Sequence, residues 1–292
     1  MATLTPEVEK AIFTGFRADF NQGFQTAQSY LERLATVVNS SGRDETYAWL
    51  GAIPMLREWI GERQAKDLEL HDYSLKNVTF ESTVKVKRED IEDDRAGVYS
   101  PLIRLMGEMA KKHPDKLLFE LIREGQTRLC YDKKPFFSTE HQLKEGTASN
   151  LDDGSGPAWY LLDTSKSLKP FIFQKRRDYS IVSKTALSDD DVFYKNEHVY
   201  GVDGRVSAGY GLWQFAYCSQ QPLTHENYAR IRSAMRSLKA ENGMPLDAVP
   251  DLLVVPPALE ESALHVVKAE LLENGRSNIY AGTAEAMVSP WL

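Results

Sequence analysis

The charged segment from residue 56 to residue 95 constrains the fold more than any other part of the chain. It is typical of two long strands followed directly by a helix. In its second half the apolar residues fall on alternate positions, which are Val78, Phe80, Val84 and Val86. That alternation is the period of a strand with one covered face. The stretch Leu56 to Arg63 precedes it as a first strand, and a change of phase predicts a bulge or twist near Asn77.

Such an arm needs a surface to lie on. An isolated two-stranded hairpin is only marginally stable in water, and residues 62 to 72 are too polar to bring a core of their own. Another copy of the same protein is a ready source of that surface. We therefore interpret the chain first as an assembly protein and only second as an enzyme.

The composition is that of a globular protein from a reducing compartment. Of the 292 residues, 42% are hydrophobic and 26% are charged, which is enough for a substantial core. Cys130 and Cys218 form no CxxC pair, so neither a disulfide framework nor a zinc site is expected. The formal net charge of −7 opposes strong binding to nucleic acid. The sequence contains no membrane-length apolar run and no signal peptide pattern, which predicts a protein made in a cytoplasm.

Helical patterns precede the arm. Thr5 and Pro6 make a good helix start, because threonine caps and proline suits the first turn. Phenylalanines then recur at helical spacing, at Phe13, Phe16, Phe20 and Phe24. A second helix is predicted from Tyr30 to Val38.

A long amphipathic helix is predicted directly after the arm. Ser100 and Pro101 open it, Pro114 should kink or split it, and Gly125 should cap it. Residues 126 to 220 are mostly strand and loop. Beyond them, helices are predicted after Thr224 and after residues 256–257.

The end of the chain completes an α+β pattern. Leu252 to Val255 has the character of a buried strand between those two helices. Ala284 to Leu292 is strand-like and closes the chain with apolar residues, so this end should be docked. The predicted fold class is α+β.

No group of residues forms a catalytic or metal-binding constellation. The acidic runs Glu89 to Asp94 and Asp189 to Asp191 lack a calcium-loop pattern. Cys130 and His141 lack an identifiable third group for nucleophilic catalysis. The glycines between Gly201 and Gly211 match no phosphate loop and are interpreted as turn residues. We predict no enzyme activity, no catalytic residue, no metal and no cofactor.

Several short stretches are specific when they are taken together. They are Phe13–Phe16, Glu45–Gly51, Leu56–Arg63, Phe80–Val84, Ile91–Asp94, Tyr99–Leu102, Trp159–Asp163, Lys169–Gln174, Tyr200–Asp203, Leu253–Leu259 and Val288–Leu292. In these stretches, which run from end to end, the chain resembles the major head subunits of Mu-like phages and prophages.

The resemblance implies the Hong Kong 97-type capsid fold of tailed bacteriophages. Residues 1–55 would then be an N-terminal arm, and residues 56–95 the hairpin called the E-loop with the entry to a peripheral domain. Residues 96–125 would be the spine helix of that domain. Residues 126–292 would be an axial domain, with the terminal strand returning to the peripheral domain.

The implied function is that of a major capsid protein of the virion. Copies of the chain would self-assemble as pentamers and hexamers into an icosahedral shell around double-stranded DNA, in the cytoplasm of a bacterial host. The implied partners are other copies, a separate scaffold protein and a portal protein. Contact with DNA would be weak and non-specific, and no membrane would be involved.

The E-loop supplies the predicted assembly interface. Trp59 and Phe80 should anchor it near its base, and Arg63, Lys66 and Asp67 near its tip should meet another chain. Two alternatives remain open at this point. One is an encapsulin-like compartment that holds enzyme cargo, and the other is a cytoplasmic hydrolase that uses Cys130 or the acidic run after residue 88.

Overall fold

The computed structural model describes residues 5–48, 50, 72–93, 96–143, 146–186, 188–239, 244–272 and 275–292. The helices in these ranges are α1 (Pro6–Thr26), α2 (Leu31–Leu34), α3 (Arg88–Glu92), α4 (Ser100–Arg123), α5 (Asp190–Lys195), α6 (His225–Arg236) and α7 (Glu260–Val267). The strands are β1 (Ala35–Asn39), β2 (Asp44–Thr46), β3 (Ser74–Lys76), β4 (Val78–Lys87), β5 (His141–Leu143), β6 (Gly146–Ala148), β7 (Leu151–Asp152), β8 (Trp159–Leu162), β9 (Phe171–Lys184), β10 (Glu197–Tyr210), β11 (Ala216–Ser219), β12 (Leu252–Val255) and β13 (Glu285–Val288).

Helix α1 begins as the sequence predicts and crosses α4 at very short range. The Thr5 hydroxyl accepts a hydrogen bond from the Val8 amide at 3.4 Å. The crossing has glycine on both sides. A Cβ atom at Gly107 would lie 2.2 Å from the Phe20 carbonyl oxygen, and one at Gly23 would meet the α4 backbone. Only glycine therefore lets the two backbones approach this closely.

Helix α4 runs without a break through Pro114, so the predicted split does not occur. Proline lacks the amide hydrogen of a helical turn, but the buried residues on either side hold the helix together. The predicted cap at Gly125 is also wrong. Gly125 lies in a 3-10 turn, where a Cβ atom would lie 2.4 Å from the Phe137 ring.

A four-stranded sheet in the order β1-β9-β10-β4 lies against α4 and α1. The second predicted helix, Tyr30 to Val38, is only partly correct, because its latter half is strand β1. This strand pairs in parallel with β9 from Phe171 to Lys175, and its β-branched residues suit that environment. The predicted turn role of Gly201 to Gly211 is likewise wrong. Strand β10 passes through most of this range, and Gly204 makes room for the Tyr179 ring.

A five-stranded sheet in the order β13-β12-β8-β11-β7 forms the rest of the core. Strands β8, β11 and β12 are buried along their whole length. Helices α6 and α7 cover one face, and α6 is capped by Thr224. The terminal strand β13 pairs in parallel with β12, in this sheet rather than in the four-stranded one. The fold is thus a mixed α/β fold.

Candidate assembly surface

A short antiparallel pair forms the base of the predicted arm. Glu45 of β2 lies opposite Leu75 of β3, and Thr46 lies opposite Ser74. Residues 47–73 therefore connect these two strands. Trp59, Arg63, Lys66 and Asp67, together with the predicted first strand, lie outside the described residues. The structure thus gives the origin of the arm and not its tip.

A buried hydrogen-bond network fixes this base to the four-stranded sheet. The Tyr47 hydroxyl donates to Gln174 Oε1 at 2.8 Å, and Gln174 Nε2 donates to Asn77 Oδ1 at 2.8 Å. Asn77 Nδ2 in turn donates to Ser40 Oγ at 2.8 Å. Burial raises the pKa of Tyr47 to about 12, so its hydroxyl keeps the proton that it donates. The network lies where β3 stops and β4 starts, which is the predicted irregularity near Asn77.

The predicted second strand is present as β4, and in the described part of the chain its partner is β10. Val78 lies opposite Val206 and Lys87 lies opposite Glu197. The expected pairing with Leu56–Arg63 concerns residues that the structure does not describe. Strand β4 is an edge of the four-stranded sheet as far as the described residues extend, and a strand edge offers unpaired backbone groups.

Phe80 lines a groove between β4 and α4, which we call the α4 groove. Its ring lies 4.3 Å from the His113 ring, centroid to centroid. The His113 Nδ1 atom lies 2.6 Å from the Tyr179 hydroxyl, which is hydrogen-bond distance. Burial lowers the pKa of His113, which favours the neutral imidazole. This neutral polar pair therefore belongs to the lining of a groove that also includes Glu81 and Ser82 and is otherwise apolar.

The α4 groove has a volume of about 320 Å³ and is walled on one side by exposed apolar residues of α4. Leu102, Leu105 and Met109 are 44%, 47% and 50% exposed. They recur at helical spacing and form one stripe. A contiguous exposed apolar patch on a subunit is typical of a protein interaction surface.

The candidate nucleophile and base do not form a catalytic pair. Cys130 is buried, burial raises its pKa well above the ordinary value, and its Sγ lies 3.9 Å from the Gly211 carbonyl oxygen. His141 instead contacts Asp132 at 2.5 Å and stacks on Trp213 with 3.9 Å between ring centroids. These contacts are those of packed core residues.

The acidic runs are used for local structure. Asp90 accepts a hydrogen bond from the Tyr99 hydroxyl at 2.5 Å, and Asp191 pairs with Lys195 at 2.8 Å. Across the described ranges, no three histidine, cysteine or acidic residues come together in a way that would hold a metal ion. Nor does any helix in the described part of the chain have the length and hydrophobicity needed to cross a membrane.

Sequence reasoning missed the roles of Gln174 and His113. Gln174 follows the apolar run Phe171–Phe173 directly, and a polar residue that continues a buried run needs hydrogen-bond partners. That was a usable signal. His113 carries no comparable signal, because its contacts with Phe80 and Tyr179 join residues that are distant in sequence.

The mixed α/β fold is that of a phage capsid subunit. A chain in the procapsid of bacteriophage JBD30 is 43% identical and matches with a TM-score of 0.90, over 99% of this chain and 100% of that chain. A chain in the bacteriophage JBD30 capsid is 33% identical and matches with a TM-score of 0.80, over 99% of each chain.

Sequence comparison leads to a particular family. The family model described as "Mu-like prophage major head subunit gpT" matches residues 9–292. The major capsid protein of Escherichia phage Mu is 40% identical over an alignment of 303 positions, gaps included, that covers 99% of this chain and 99% of that protein. The Mu-like prophage FluMu major head subunit of Haemophilus influenzae is 40% identical over 93% of this chain and 92% of that protein.

The chain therefore belongs to the family of Mu-like prophage major head subunits. It is a major capsid protein of the phage head, and the resemblance noted from the sequence is confirmed. Its relatives are structural capsid proteins and not enzymes. The prediction that the chain is not an enzyme is confirmed, and the hydrolase alternative is not favoured.

Proposed function

We propose that this subunit assembles as pentamers and hexamers into an icosahedral shell around double-stranded DNA. The observation that carries the proposal is the full-length match, with a TM-score of 0.90, to a chain whose structure was solved in the JBD30 procapsid. Electron microscopy of the purified protein tests it. Rings or closed shells are expected, whereas a strictly monomeric protein at high concentration would contradict the proposal.

The Hong Kong 97-type division of the chain is part of this proposal. The 24-residue helix α4 suits a spine helix, and the hairpin that starts at β2 and β3 suits the E-loop. The proposed ranges are 1–55 for the N-terminal arm, 56–95 for the E-loop and domain entry, 96–125 for the spine and 126–292 for the axial domain. The terminal strand β13 pairs in parallel with β12. We propose that it returns to the peripheral domain, and the position of this strand pair in an assembled shell tests that assignment.

The proposed assembly contacts are those of the E-loop. Trp59 and Phe80 would anchor it, and Arg63, Lys66 and Asp67 would meet a neighbouring subunit. Reversing the charge of Arg63 and Lys66 together should reduce shell yield, since each would then face the wrong partner charge. Reversal at exposed Lys10 and Arg17 of α1 is the matched control. Unchanged shell yield in the first variant would contradict this assignment.

A separate scaffold protein and a portal protein complete the proposed assembly. The net charge of −7 suits a container into which DNA is driven, with weak and non-specific contact to the wall. Expression with and without the neighbouring head genes tests the need for a scaffold. Normal shells from this protein alone would count against one. A dense basic inner lining in those shells would contradict weak contact with DNA.

A further inference from the structure

We propose that His141 and Asp132 together bind a proton that ties the turn of residues 130–134 to strand β5 and is released at alkaline pH. We call this pair the proton latch. His141 is 0% exposed and the Asp132 side chain is 14% exposed. Every atom of the latch belongs to one subunit, so it does not depend on the proposed shell assembly.

The side-chain amide of Asn150 has only one possible orientation. Its Nδ2 atom lies 2.8 Å from the Phe136 carbonyl oxygen and 3.2 Å from that of Ala216, and these oxygens can only accept. Its Oδ1 atom lies 2.8 Å from the Ser138 amide nitrogen, which can only donate. The amide oxygen of Asn150 is therefore the atom that faces His141.

This orientation fixes a proton on one ring nitrogen of His141. The Nε2 atom lies 3.1 Å from Asn150 Oδ1 and 3.3 Å from the Phe136 carbonyl oxygen. Both oxygens are acceptors, so Nε2 carries a hydrogen and donates it. A neutral imidazole has only one such hydrogen, and Nδ1 would then have none.

The other ring nitrogen faces a carboxylate. His141 Nδ1 lies 2.5 Å from Asp132 Oδ2, and Asp132 Oδ1 accepts a hydrogen bond from the Lys134 amide at 3.1 Å. A hydrogen bond between Nδ1 and Oδ2 needs a proton, which neither a neutral imidazole of this tautomer nor an ionised carboxylate supplies. Histidine binds a proton more strongly than aspartate does in water. The extra proton therefore belongs to Nδ1, and an imidazolium is paired with an ionised Asp132.

The aromatic neighbour of His141 suits a cation. The His141 ring stacks on Trp213 with 3.9 Å between ring centroids and 4° between the ring planes. A cation over the face of an indole is attracted by the negative charge of that face. Trp213 thus stabilises the protonated ring and covers it from solvent.

The other ionisable groups beside the latch leave this charge balance intact. Lys134 and Glu140 pair with each other at 3.7 Å. The Cys130 thiol at the start of the turn stays protonated, because burial raises its pKa well above the ordinary value. Asp132 is therefore the carboxylate that balances the imidazolium.

The bound proton makes the stability of the subunit depend on pH. In an unfolded chain a histidine releases this proton near pH 6.5, whereas the folded latch retains it to higher pH. The folded state then binds one proton more than the unfolded state, so the equilibrium constant for unfolding rises by up to about tenfold per pH unit. The stabilisation is complete below that pH. It is lost as the pH rises, until the latch releases its proton and the turn separates from β5.

Asp132→Asn tests the latch while keeping its hydrogen bonds. The new amide donates to Nδ1 and still accepts from Lys134, so a neutral His141 has all its partners and needs no extra proton. Urea denaturation of the unassembled subunit measures the unfolding constant. Between about pH 6.5 and pH 8 it should rise about tenfold more in the wild type than in this variant. His265→Gln, at an exposed histidine, is the control and should keep the wild-type dependence. Equal pH dependence in the wild type and Asp132→Asn would overturn the inference.

Nuclear magnetic resonance of the wild type gives a second test that does not depend on the folding of a variant. With ¹⁵N-labelled histidine at about pH 8, where an ordinary histidine is neutral, one of the six rings should have both nitrogens protonated. That signal should be absent from Asp132→Asn. Neutral imidazole at all six histidines of the wild type would overturn the inference, and so would an imidazolium that persists in the variant.

Discussion

The glycine crossing between α1 and α4 makes a quantitative prediction. In Gly107→Ala the new methyl group would lie 2.2 Å from the Phe20 carbonyl oxygen, and real Cβ contacts stay at 3.0 Å or more. The helices must therefore separate by at least 0.8 Å, the difference between these two distances. Overpacking of this kind costs about 1–3 kcal/mol of unfolding free energy, and the better helix propensity of alanine returns about 1 kcal/mol.

The matched control is Gly15→Ala in α1. A Cβ atom at Gly15 meets nothing within 4 Å, so this variant should gain up to about 1 kcal/mol from helix propensity alone. The two variants should thus differ by about 1–3 kcal/mol in the free energy of unfolding, with Gly107→Ala the less stable.

Chemical denaturation of the unassembled subunit measures this difference. Hydrogen exchange adds a local readout, because separation of the helices should reduce amide protection in Pro6–Thr26 more than in α6. Equal stability of the two variants, with unchanged protection of α1, would refute the reasoning from the close crossing.

Three further predictions concern buried side chains. Burial raises the pKa of the Asp115 carboxyl above its ordinary value of 3.8. The protonated carboxyl therefore contributes fully to the free energy of unfolding below pH 3.8, and this contribution is lost as the pH rises through the raised pKa. Asp115→Asn should remove this pH dependence from denaturation midpoints. Gln174→Leu should lower the unfolding free energy by about 2–4 kcal/mol, because Tyr47 and Asn77 lose buried hydrogen-bond partners. An unchanged denaturation midpoint would show that these hydrogen bonds do not stabilise the fold. Cys130→Ala should leave the yield of shells, measured by sedimentation, unchanged. If the wild-type protein shows a hydrolytic turnover that this variant loses, the hydrolase alternative would be revived.

Elements with a local signal could be predicted from the sequence. Helix α1 follows from Thr5 and the spaced phenylalanines, and strand β4 from its alternating apolar residues. The region of the structural break at Asn77 was predicted from a change of phase. In each case the residues that carry the signal lie within a few positions of one another, which is the range over which periodicity and capping act.

Features that depend on distant partners could not be predicted in this way. Val37 and Val38 fit a helix or a strand, and the parallel pairing with β9 decides for the strand. The sequence around Gly204 is typical of a turn, whereas its role in the fold is to leave space for the Tyr179 ring of another strand. The α4 groove likewise needs Phe80 and His113 to meet across the fold.

Cryo-electron microscopy of assembled particles tests the central claim most directly. The account predicts a closed shell of pentamers and hexamers in which the E-loop of each subunit, proposed for residues 56–95, meets a neighbouring subunit. Particles that lack such capsomers, or a shell in which every arm folds back on its own subunit, would contradict it.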